Sequence, residues 1–429
     1  MQLIVHRGTK QIGGSCVEVR SGDDRILLDL GLPLPSEEDD QRAVDHTIDD
    51  LLAFGVLPNV SGVYANDIPS IKAVVVSHVH QDHIGLGQYV HPDIPVYATE
   101  GTWALQDALR PFLPQSNDIS SRKMLPKHES IQMGALSVTA LPVDHSAPDA
   151  VALLVEGDGK RLLYSGDLRA HGRKAGLYDR LIQRLSGSID ILLLEGTTIG
   201  RPGGKPVAEE ALEADLAKLF RQQAHLSLVF CSSQNLDRLV SIFRAVKRTR
   251  KLMVIDLYTA YTLHKLTCIS SSLPQWDWTE IRVVPWGYQQ QRLVDADLGD
   301  FVEMTRRKWV GWDWLISAKQ DVVLLMRSNR KMVDMAERLG NGVREVQVIW
   351  SMWNGYWPKD KYARPFCEQH GINPIYIHTS GHASWEDLKR FVVGLDPKTV
   401  VPIHTEHSEA FAQQFVNTRL LADGESSKV

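Results

Sequence analysis

The first part of the chain has the hydrophobic pattern of paired β-strands. The apolar segments LIVHRG and SCVEV precede a turn at 21–24, and the apolar run RILLDLG follows that turn. Farther along, VALLVEG and RLLYSGD flank a second turn at 157–160, and the apolar segment DILLLEG ends near residue 195. Short apolar runs separated by Gly and Asp are typical of strands and hairpins. We therefore expect a β-rich first part.

The pattern changes near residue 200. A Gly/Pro-rich segment at 201–206 leads into EEALEADLAKLFRQQ, which has helical spacing of its apolar residues. Apolar strands then alternate with helices, as in LSLVFC followed by NLDRLVSIFRAVKR. Such alternation predicts a parallel α/β unit, and 429 residues exceed the size of one ordinary domain. We expect a first domain over 1–200 and a second over 201–360.

The last segment again has a strand, loop and helix pattern. PIYIHTSGH, SWEDLKRFV and TVVPIHTEH follow one another, and a final helix SEAFAQQFV precedes a polar tail. We expect residues 361–429 to complete the first domain and the tail to be disordered.

Composition narrows the class of protein. The chain is 43% hydrophobic and 23% charged, as globular proteins are, and no apolar run approaches the roughly 18 residues of a membrane helix. We expect a cytosolic protein with no membrane partner. The four cysteines form no CxxC pair, so we expect them to be reduced and buried. With a net charge of −5, any surface for nucleic acid must be a local feature.

The sharpest chemical signal is the segment VVVSHVHQDHIG. A β-branched strand runs into His78 and His80, and the next turn brings Asp82 and His83 toward a second position. Histidines also cluster on exposed loops without function. Three imidazoles and a carboxylate at the end of a buried strand would be costly without a cation, however. The spacing suits two adjacent ions, and zinc prefers these ligands.

Three further candidate ligands stand where predicted strands end. These are His145 in PVDHSAPD, Asp167 in YSGDLR and His404 in VVPIHTEH. Each alone is also explained as a turn or capping residue. Together with the HVHQDH segment, they complete two coordination spheres.

The order Asp29, HVHQDH, His145, Asp167 resembles the motif series of the metallo-β-lactamase superfamily. The resemblance implies a four-layer αββα sandwich that holds two zinc ions, with manganese as an alternative metal. It implies that Asp29 orients the site without binding metal. The implied ligands are His78, His80 and His145 for one ion, Asp82, His83 and His404 for the other, and Asp167 as the bridge.

Three more segments resemble the β-CASP nuclease branch, which inserts an α/β cap domain into the sandwich. They are LLLEGTT with Glu195, HTSGHAS with His382, and VPIHTEH with His404; FCSSQNLDRLV also resembles the cap. Members of the branch that act on RNA, ribonuclease J among them, carry histidine at the last of these motifs, where DNA-repair members typically carry valine. His404 therefore implies RNA, and we expect it to be single-stranded.

The chain departs from ribonuclease J in two respects. Thr405 stands where that family usually has glycine, and the sequence ends 25 residues after His404. We therefore expect no C-terminal assembly domain. A homo-oligomer and a complex with other proteins both remain open.

The expected chemistry is hydrolysis of a phosphodiester by a metal-activated hydroxide. His382, paired with the Glu195 carboxylate, is the expected general acid, and Asp82 is counted with them as a catalytic residue. Glu195 is also explained as a structural carboxylate. The expected phosphate-binding residues are His378, Ser380, Gly381, Ser232 and Ser233, although ordinary helix capping also explains the two serines.

Nine of the eleven tryptophans fall between Trp276 and Trp357. They are explained by base stacking in a single-stranded channel or, more ordinarily, by core packing or a subunit interface.

Three other functions compete with a ribonuclease: a DNA nuclease, a small-ester hydrolase of the lactonase or thioesterase kind, and a catalytically dead scaffold. The long insertion between Glu195 and His382 disfavours a small-ester hydrolase. The presence of all seven ligands disfavours a scaffold. Endonucleolytic cutting and cutting from the 5′ end both stay open.

Overall fold

A computed structural model describes residues 1–34, 46–113, 118–201, 206–222, 226–331, 334, 338 and 340–429; most of the predicted Gly/Pro-rich joint, 202–205, lies outside them. The strands of the described residues are β1 Gln2–Arg7, β2 Cys16–Ser21, β3 Asp24–Leu28, β4 Ala73–Val75, β5 Val96–Ala98, β6 Arg122–Met124, β7 Ser130–Met133, β8 Leu136–Pro142, β9 Val151–Gly157, β10 Lys160–Tyr164, β11 Ile191–Glu195, β12 Ser227–Phe230, β13 Leu252–Asp256, β14 Ile281–Val284, β15 Val322–Met326, β16 Gln347–Trp350, β17 Ile375–Tyr376, β18 Thr399–Ile403 and β19 Ser426–Lys428. The α-helices of those residues are α1 Ile48–Ala53, α2 Gln81–Ile84, α3 Glu100–Leu109, α4 Gly176–Leu185, α5 Glu209–Gln222, α6 Leu236–Arg248, α7 Leu257–Lys265, α8 Gly287–Asp295, α9 Gly299–Thr305, α10 Trp312–Ser317, α11 Ala363–His370, α12 Trp385–Leu395 and α13 Glu409–Gln414.

The chain forms two compact units. The first comprises 1–106, 115–205 and 381–429, and the second comprises 107–114 and 206–380. The sequence-based division placed 361–380 with the first unit, and the structure places that segment in the second. The reason is that β17 adds to the second unit's sheet by pairing with β16, while Phe366 and Cys367 of α11 enter its core.

The first unit is an αββα sandwich, as the sequence predicted. One sheet has the order β19-β1-β2-β3-β4-β5-β6, and the other has the order β18-β11-β10-β9-β8-β7. Alternate residues of both sheets meet in one buried core, which includes Val17 and Ile26 of the first sheet and Leu153 and Leu193 of the second. Packing of two apolar sheet faces against each other is the main source of stability in such an architecture.

Helices cover the outer faces of both sheets. A second buried cluster joins Leu51 of α1, Ile84 of α2 and Trp103 of α3 to the outer face of β3 and β4. A third joins Leu181 of α4 and Phe391 of α12 to the outer face of the other sheet. Each sheet is therefore apolar on both sides, which explains the nearly continuous apolar runs in the sequence.

The expectation that the polar tail is disordered is wrong. Residues Ser426–Lys428 form β19, which pairs antiparallel with β1. Upstream of it, Leu421 is buried and the Asp423 carboxylate accepts hydrogen bonds from the backbone N–H and the hydroxyl of Thr9. Without β19, β1 would be an edge strand with unpaired backbone groups, and the tail satisfies those groups despite its polar side chains.

The second unit contains a parallel sheet, again as the sequence predicted. Its strand order is β14-β13-β15-β12-β16-β17, and every neighbouring pair in it is parallel. The carboxyl ends of all these strands therefore lie along one edge of the sheet. In open α/β sheets, ligands bind at that edge.

A buried ion pair anchors the second unit. Arg238 of α6 and Glu209 of α5 are both fully buried, with 3.1 Å between Nη2 and Oε1. The Arg238 Nη1 group also donates to the backbone oxygen of Ser351 at 3.0 Å and to the Ser351 hydroxyl. One guanidinium thus ties two helices to the loop after β16.

We expect Arg238→Ala to lower the free energy of unfolding of the second unit by about 3–5 kcal/mol, because it leaves the Glu209 carboxylate buried without its partner. The matched control is Arg244→Ala on the same helix, whose side chain is 56% exposed and pairs with Glu213. That variant should lose less than about 1 kcal/mol. Urea titrations followed by circular dichroism measure both. Equal losses would contradict the assignment.

The structure bears on the expectations about cysteines and membrane helices. All four cysteines are free, but Cys268 is exposed, so the expectation that all four are buried is wrong. Among the described residues, no helix is long and apolar enough to cross a membrane.

Candidate metal centre and active site

Strand ends bring the candidate ligands together. The loop after β4 carries His78 and His80, and the short helix α2 carries Asp82 and His83. His145 follows β8, Asp167 follows β10 and His404 follows β18. The sandwich therefore assembles residues that are up to 326 positions apart in the sequence, from His78 to His404.

The first group of candidate ligands is His78, His80, His145 and Asp167. His80 Nδ1 lies 3.1 Å from His78 Nε2 and 3.2 Å from His145 Nε2. Ligands at about 2.0–2.1 Å from a tetrahedral zinc ion lie roughly 3.3 Å from one another. His80 Nδ1 therefore has the spacing from both other nitrogens that such an ion requires, and all the ligand atoms of the group lie within 4.8 Å of one another.

The second group is Asp82, His83, Asp167 and His404. His83 Nε2 lies 3.2 Å from Asp167 Oδ2, and His404 Nε2 lies 3.5 Å from Asp82 Oδ2. Asp167 belongs to both groups, so its carboxylate is placed to bridge two ions.

Buried polar atoms in these groups have no hydrogen-bond partner of acceptable geometry among the described residues. They are His83 Nε2, both carboxylate oxygens of Asp167, and His404 Nε2. Leaving such atoms unsatisfied in the interior costs about 1–3 kcal/mol each, and more for a charged group. Cations placed among these atoms would satisfy all of them. The unsatisfied nitrogen and carboxylate atoms of these residues thus suit a metal centre.

The protonation states of three candidate ligands favour metal binding. Burial and the neighbouring imidazoles hold the pKa values of His78 and His145 well below the ordinary histidine value, so both rings are neutral. Burial alone would raise the pKa of Asp167, but the surrounding histidines outweigh it and hold that pKa well below the usual range. Neutral imidazoles and an ionised carboxylate are the forms that bind zinc.

Outer partners fix the rings of several candidate ligands, and the sequence did not reveal most of them. Ser77 Oγ lies 3.1 Å from His78 Nδ1, and Ser15 Oγ lies 2.8 Å from His404 Nδ1. His145 Nδ1 donates to the backbone oxygen of Gly381 at 2.6 Å. Such contacts set the tautomer, so that the opposite ring nitrogen faces the metal.

Asp29 lies next to the candidate ligand His83. It is fully buried and accepts hydrogen bonds from the Ser77 backbone and hydroxyl, at 2.6 and 2.7 Å, and from the Tyr164 hydroxyl at 2.6 Å. His83 Nδ1 lies 2.7 Å from Asp29 Oδ2. Asp29 thereby holds the His83 ring, consistent with an orienting role rather than a ligand role.

We expect Asp29→Asn to lower metal affinity by about 10- to 100-fold, the usual effect of removing an outer carboxylate. Tyr164→Phe, which removes a single hydrogen bond to the same carboxylate, should have a smaller effect. Competition with a chromogenic zinc chelator measures both. Wild-type affinity in Asp29→Asn would show that the His83 ring is held by something else.

His382 and Glu195 form the expected carboxylate–imidazole pair. His382 Nδ1 lies 3.3 Å from Glu195 Oε1 and 3.7 Å from Asp167 Oδ2. Burial lowers the pKa of His382, but the Glu195 and Asp167 charges outweigh it and raise that pKa above the ordinary value. Glu195 also accepts from the backbone N–H groups of Leu168 and Thr197. Glu195 thus has the backbone contacts of a structural carboxylate as well as the contact with His382.

A second buried ion pair joins two ligand loops, and sequence reasoning missed it. Asp144 and Arg169 are both fully buried, with 3.1 Å between Oδ1 and Nε. Asp144 directly precedes His145, and Arg169 is two residues past Asp167. The sequence showed only that each of these charged residues lies near a candidate ligand, which does not reveal that the two pair with each other.

The expected phosphate-binding residues are divided between the units. Gly381 is in the first unit; a Cβ atom there would lie 2.6 Å from Ser146 Oγ, so a larger residue would displace the Ser146 side chain. His378, Ser380, Ser232 and Ser233 are in the second unit. The N-cap of α6 is Asn235, whose side chain accepts from the Arg238 backbone, so neither serine serves as that cap.

Two family descriptions match the chain. "Beta-lactamase superfamily domain" matches residues 50–254, and "Zn-dependent metallo-hydrolase RNA specificity domain" matches residues 375–420. Each matched range contains candidate metal ligands, and the second also contains His382.

Curated relatives named ribonuclease J match most of the chain at low identity. The protein of Mycoplasma genitalium is 22% identical over 93% of this chain and 67% of its own length. That of Helicobacter pylori is 21% identical over 94% of this chain and 55% of its own length. That of Mycobacterium tuberculosis is 26% identical over 62% of this chain and 47% of its own length. The chain thus spans about half to two thirds of the length of these relatives.

A solved structure shares the fold. A crystal structure titled as a protein of unknown function from Enterococcus faecalis matches with a TM-score of 0.80 and 24% identity, over 99% of both chains. The sandwich, the histidine–aspartate cluster, the two family matches and the ribonuclease J relatives agree. Together these findings support a ribonuclease J-like protein of the β-CASP type, with the fold and metal-dependent hydrolase domain of the metallo-β-lactamase superfamily.

Proposed function

We propose that the chain is a two-zinc ribonuclease that cuts single-stranded RNA in the cytoplasm. The observation that carries this proposal is the pair of ligand groups that share Asp167, beside the His382–Glu195 pair. Manganese is the alternative metal. The proposal extends to RNA because the match at 375–420 is to an RNA specificity domain and the relatives are named ribonuclease J.

The chemistry follows from the placement of these side chains. Two bound metal ions would supply a hydroxide near neutral pH and neutralise charge on the phosphoryl oxygens. His78, His80 and His145 would hold one ion, and Asp82, His83 and His404 would hold the other. Asp167 would bridge the two and fix their separation.

His382 is the proposed general acid. Its Nδ1–H group faces the Glu195 carboxylate at 3.3 Å, which leaves Nε2 to deliver a proton to the departing sugar oxygen. Glu195 keeps the ring oriented and stabilises its protonated form. Backbone N–H groups hold Glu195 in turn, so the pair is preorganised.

The phosphate backbone is the proposed ligand of His378, Ser380, Gly381, Ser232 and Ser233. Hydroxyls, an imidazole and a backbone N–H suit phosphate oxygens. Ser233 is held by a 2.7 Å hydrogen bond to the Thr259 hydroxyl, which in turn lies 2.6 Å from Asp256 Oδ1.

The proposal is tested with end-labelled single-stranded RNA and DNA of one sequence, incubated with the protein and zinc or manganese. We expect the RNA to be cut much faster than the DNA. Internal fragments would indicate endonucleolytic cutting, and mononucleotides released from the 5′ end would indicate exonucleolytic cutting. Preferential cutting of DNA would favour a DNA nuclease. Hydrolysis of lactones or thioesters, with neither strand cut, would favour a small-ester hydrolase.

A further inference from the structure

One tryptophan of the tryptophan-rich region differs from its neighbours in being solvent-exposed. Trp276 and Trp350 are buried, and four others pack against the core of the second unit. Trp353, in contrast, is 42% exposed. Two tyrosines nearby are also exposed, Tyr356 by 59% and Tyr376 by 47%. Large aromatic side chains exposed to this extent mark binding surfaces more often than singly scattered apolar residues do.

These three side chains, called the aromatic platform below, form a continuous surface. The rings of Trp353 and Tyr356 lie 5.2 Å apart, edge to face. The backbone N–H of Asn354 donates to the Tyr376 hydroxyl at 3.1 Å, which joins the loop after β16 to the end of β17. The Tyr376 ring lies 6.1 Å from the ring of His378. The platform is therefore contiguous with a proposed phosphate-binding residue.

The Trp353 ring packs against its own loop. It covers Gly355 so closely that a Cβ atom there would lie 2.2 Å from the ring. The backbone oxygen of Trp353 also lies 3.4 Å from Nε1 of the buried Trp350. A ring that already packs against its loop gives up less conformational entropy when a ligand stacks on it than a ring surrounded by solvent does.

The position of the platform favours a ligand. Trp353 and Tyr356 follow the carboxyl end of β16, and Tyr376 ends β17, so all three lie at the edge of the parallel sheet where ligands bind. The same segment carries the exposed cations Lys359 and Lys361. Aromatic faces interleaved with cations are the composition that binds single-stranded nucleic acid, because bases stack while the cations attract the phosphates.

We propose that the aromatic platform stacks unpaired bases of an RNA strand whose adjoining phosphate is held by His378 and Ser380. This rests on the proposed function and adds a reason for its preference for single strands. Bases in a duplex stack on one another and cannot offer their faces to Trp353. Stacking is tolerant of sequence, because every base has a flat π-face.

The test compares binding of two fluorescein-labelled octanucleotides, one bearing uracil at every position and one abasic. Both carry methylenephosphonate linkages in which carbon replaces the departing oxygen, so the bond that would break resists hydrolysis and the metal-loaded full chain can be used. Fluorescence anisotropy gives Kd for the wild type, Trp353→Ala, Tyr356→Ala and Trp353→Phe. The matched control is Phe54→Ala, which removes an aromatic ring of the first unit that is 56% exposed. Thermal unfolding checks that each variant is folded.

We expect the wild type to bind the base-bearing strand roughly 10-fold or more tightly than the abasic strand. Trp353→Ala should lose most of that preference, Tyr356→Ala part of it, and Trp353→Phe little, while Phe54→Ala keeps it. The platform is overturned if the wild type shows no such preference, or if both alanine variants retain it. If the protein cuts RNA but shows no Trp353-dependent preference for the base-bearing strand, the platform is refuted and the proposed function is not. If the protein shows that preference but does not cut RNA, the proposed function is refuted and the platform is not.

Discussion

Cleavage of RNA by the Asp167→Ala variant is expected to fall roughly 10³-fold or more, because the charge stabilisation that bound metal supplies is worth several kcal/mol. Asp167 belongs to all three groups of candidate ligands, so its loss should empty the centre as well. Elemental analysis and a cleavage assay on the same preparation measure both effects.

The matched control for this prediction is Asp93→Ala. That carboxylate is 81% exposed in the first unit and belongs to none of the ligand groups found among the described residues. It should retain wild-type metal content and activity. An Asp167→Ala variant that keeps its metal would rule out the bridging role of that carboxylate.

The second large effect is expected from His382→Ala, and it separates proton transfer from metal binding. His382 faces Glu195 at the margin of the cluster, so the two main ligand groups stay intact when it is removed. We expect metal content to be retained and cleavage to slow by about 10² to 10⁴-fold, the usual contribution of a positioned general acid. In His80→Ala, by comparison, metal and cleavage should be lost together.

A substrate with sulfur in place of the departing oxygen sharpens that comparison, because a thiolate leaves without being protonated. It should restore much of the rate in His382→Ala and none in His80→Ala. Loss of metal from His382→Ala, or failure of the sulfur substrate to restore its rate, would reassign His382 as a ligand or a phosphate clamp.

The clustering of the candidate ligands could be predicted from the sequence because their signal is local. His78, His80, Asp82 and His83 fall within one short segment, and the others follow apolar strands that the pattern reveals. A strand end is a place where a buried chain reaches a shared edge, so such residues converge once the sheets form. The resemblance to known motifs then gave each one a place.

The hydrogen bonds that hold the candidate ligands could not be predicted. They join distant segments through residue types, such as serine, that occur frequently throughout the sequence. Ser15 meets His404 across 389 positions, and nothing marks that serine out in the sequence. The sequence also does not reveal two unusual backbone conformations. Asp29 and His404 adopt left-handed conformations, with φ of 60° and 50°. Such conformations are strained for residues other than glycine and are held by their surroundings. For His404, its N–H donates to the Gly8 oxygen at 2.6 Å.

The second unit's boundary and the tail were mispredicted for a related reason. Segment 361–380 has the same strand-and-helix pattern as its neighbours, so that pattern does not say which sheet β17 joins. The tail is polar because β19 is an edge strand, whose side chains need not be buried. In both cases pairing between distant strands decided the outcome, and periodicity reports only local structure.

The central claim is that a two-metal centre at these side chains cuts RNA. Its most direct test is anomalous diffraction at the zinc edge, from crystals of a preparation shown to cut RNA. We expect two peaks on either side of the Asp167 carboxylate, one among His78, His80 and His145 and one among Asp82, His83 and His404. A single peak, or none at the edge of zinc or manganese, in protein that cuts RNA would contradict the claim.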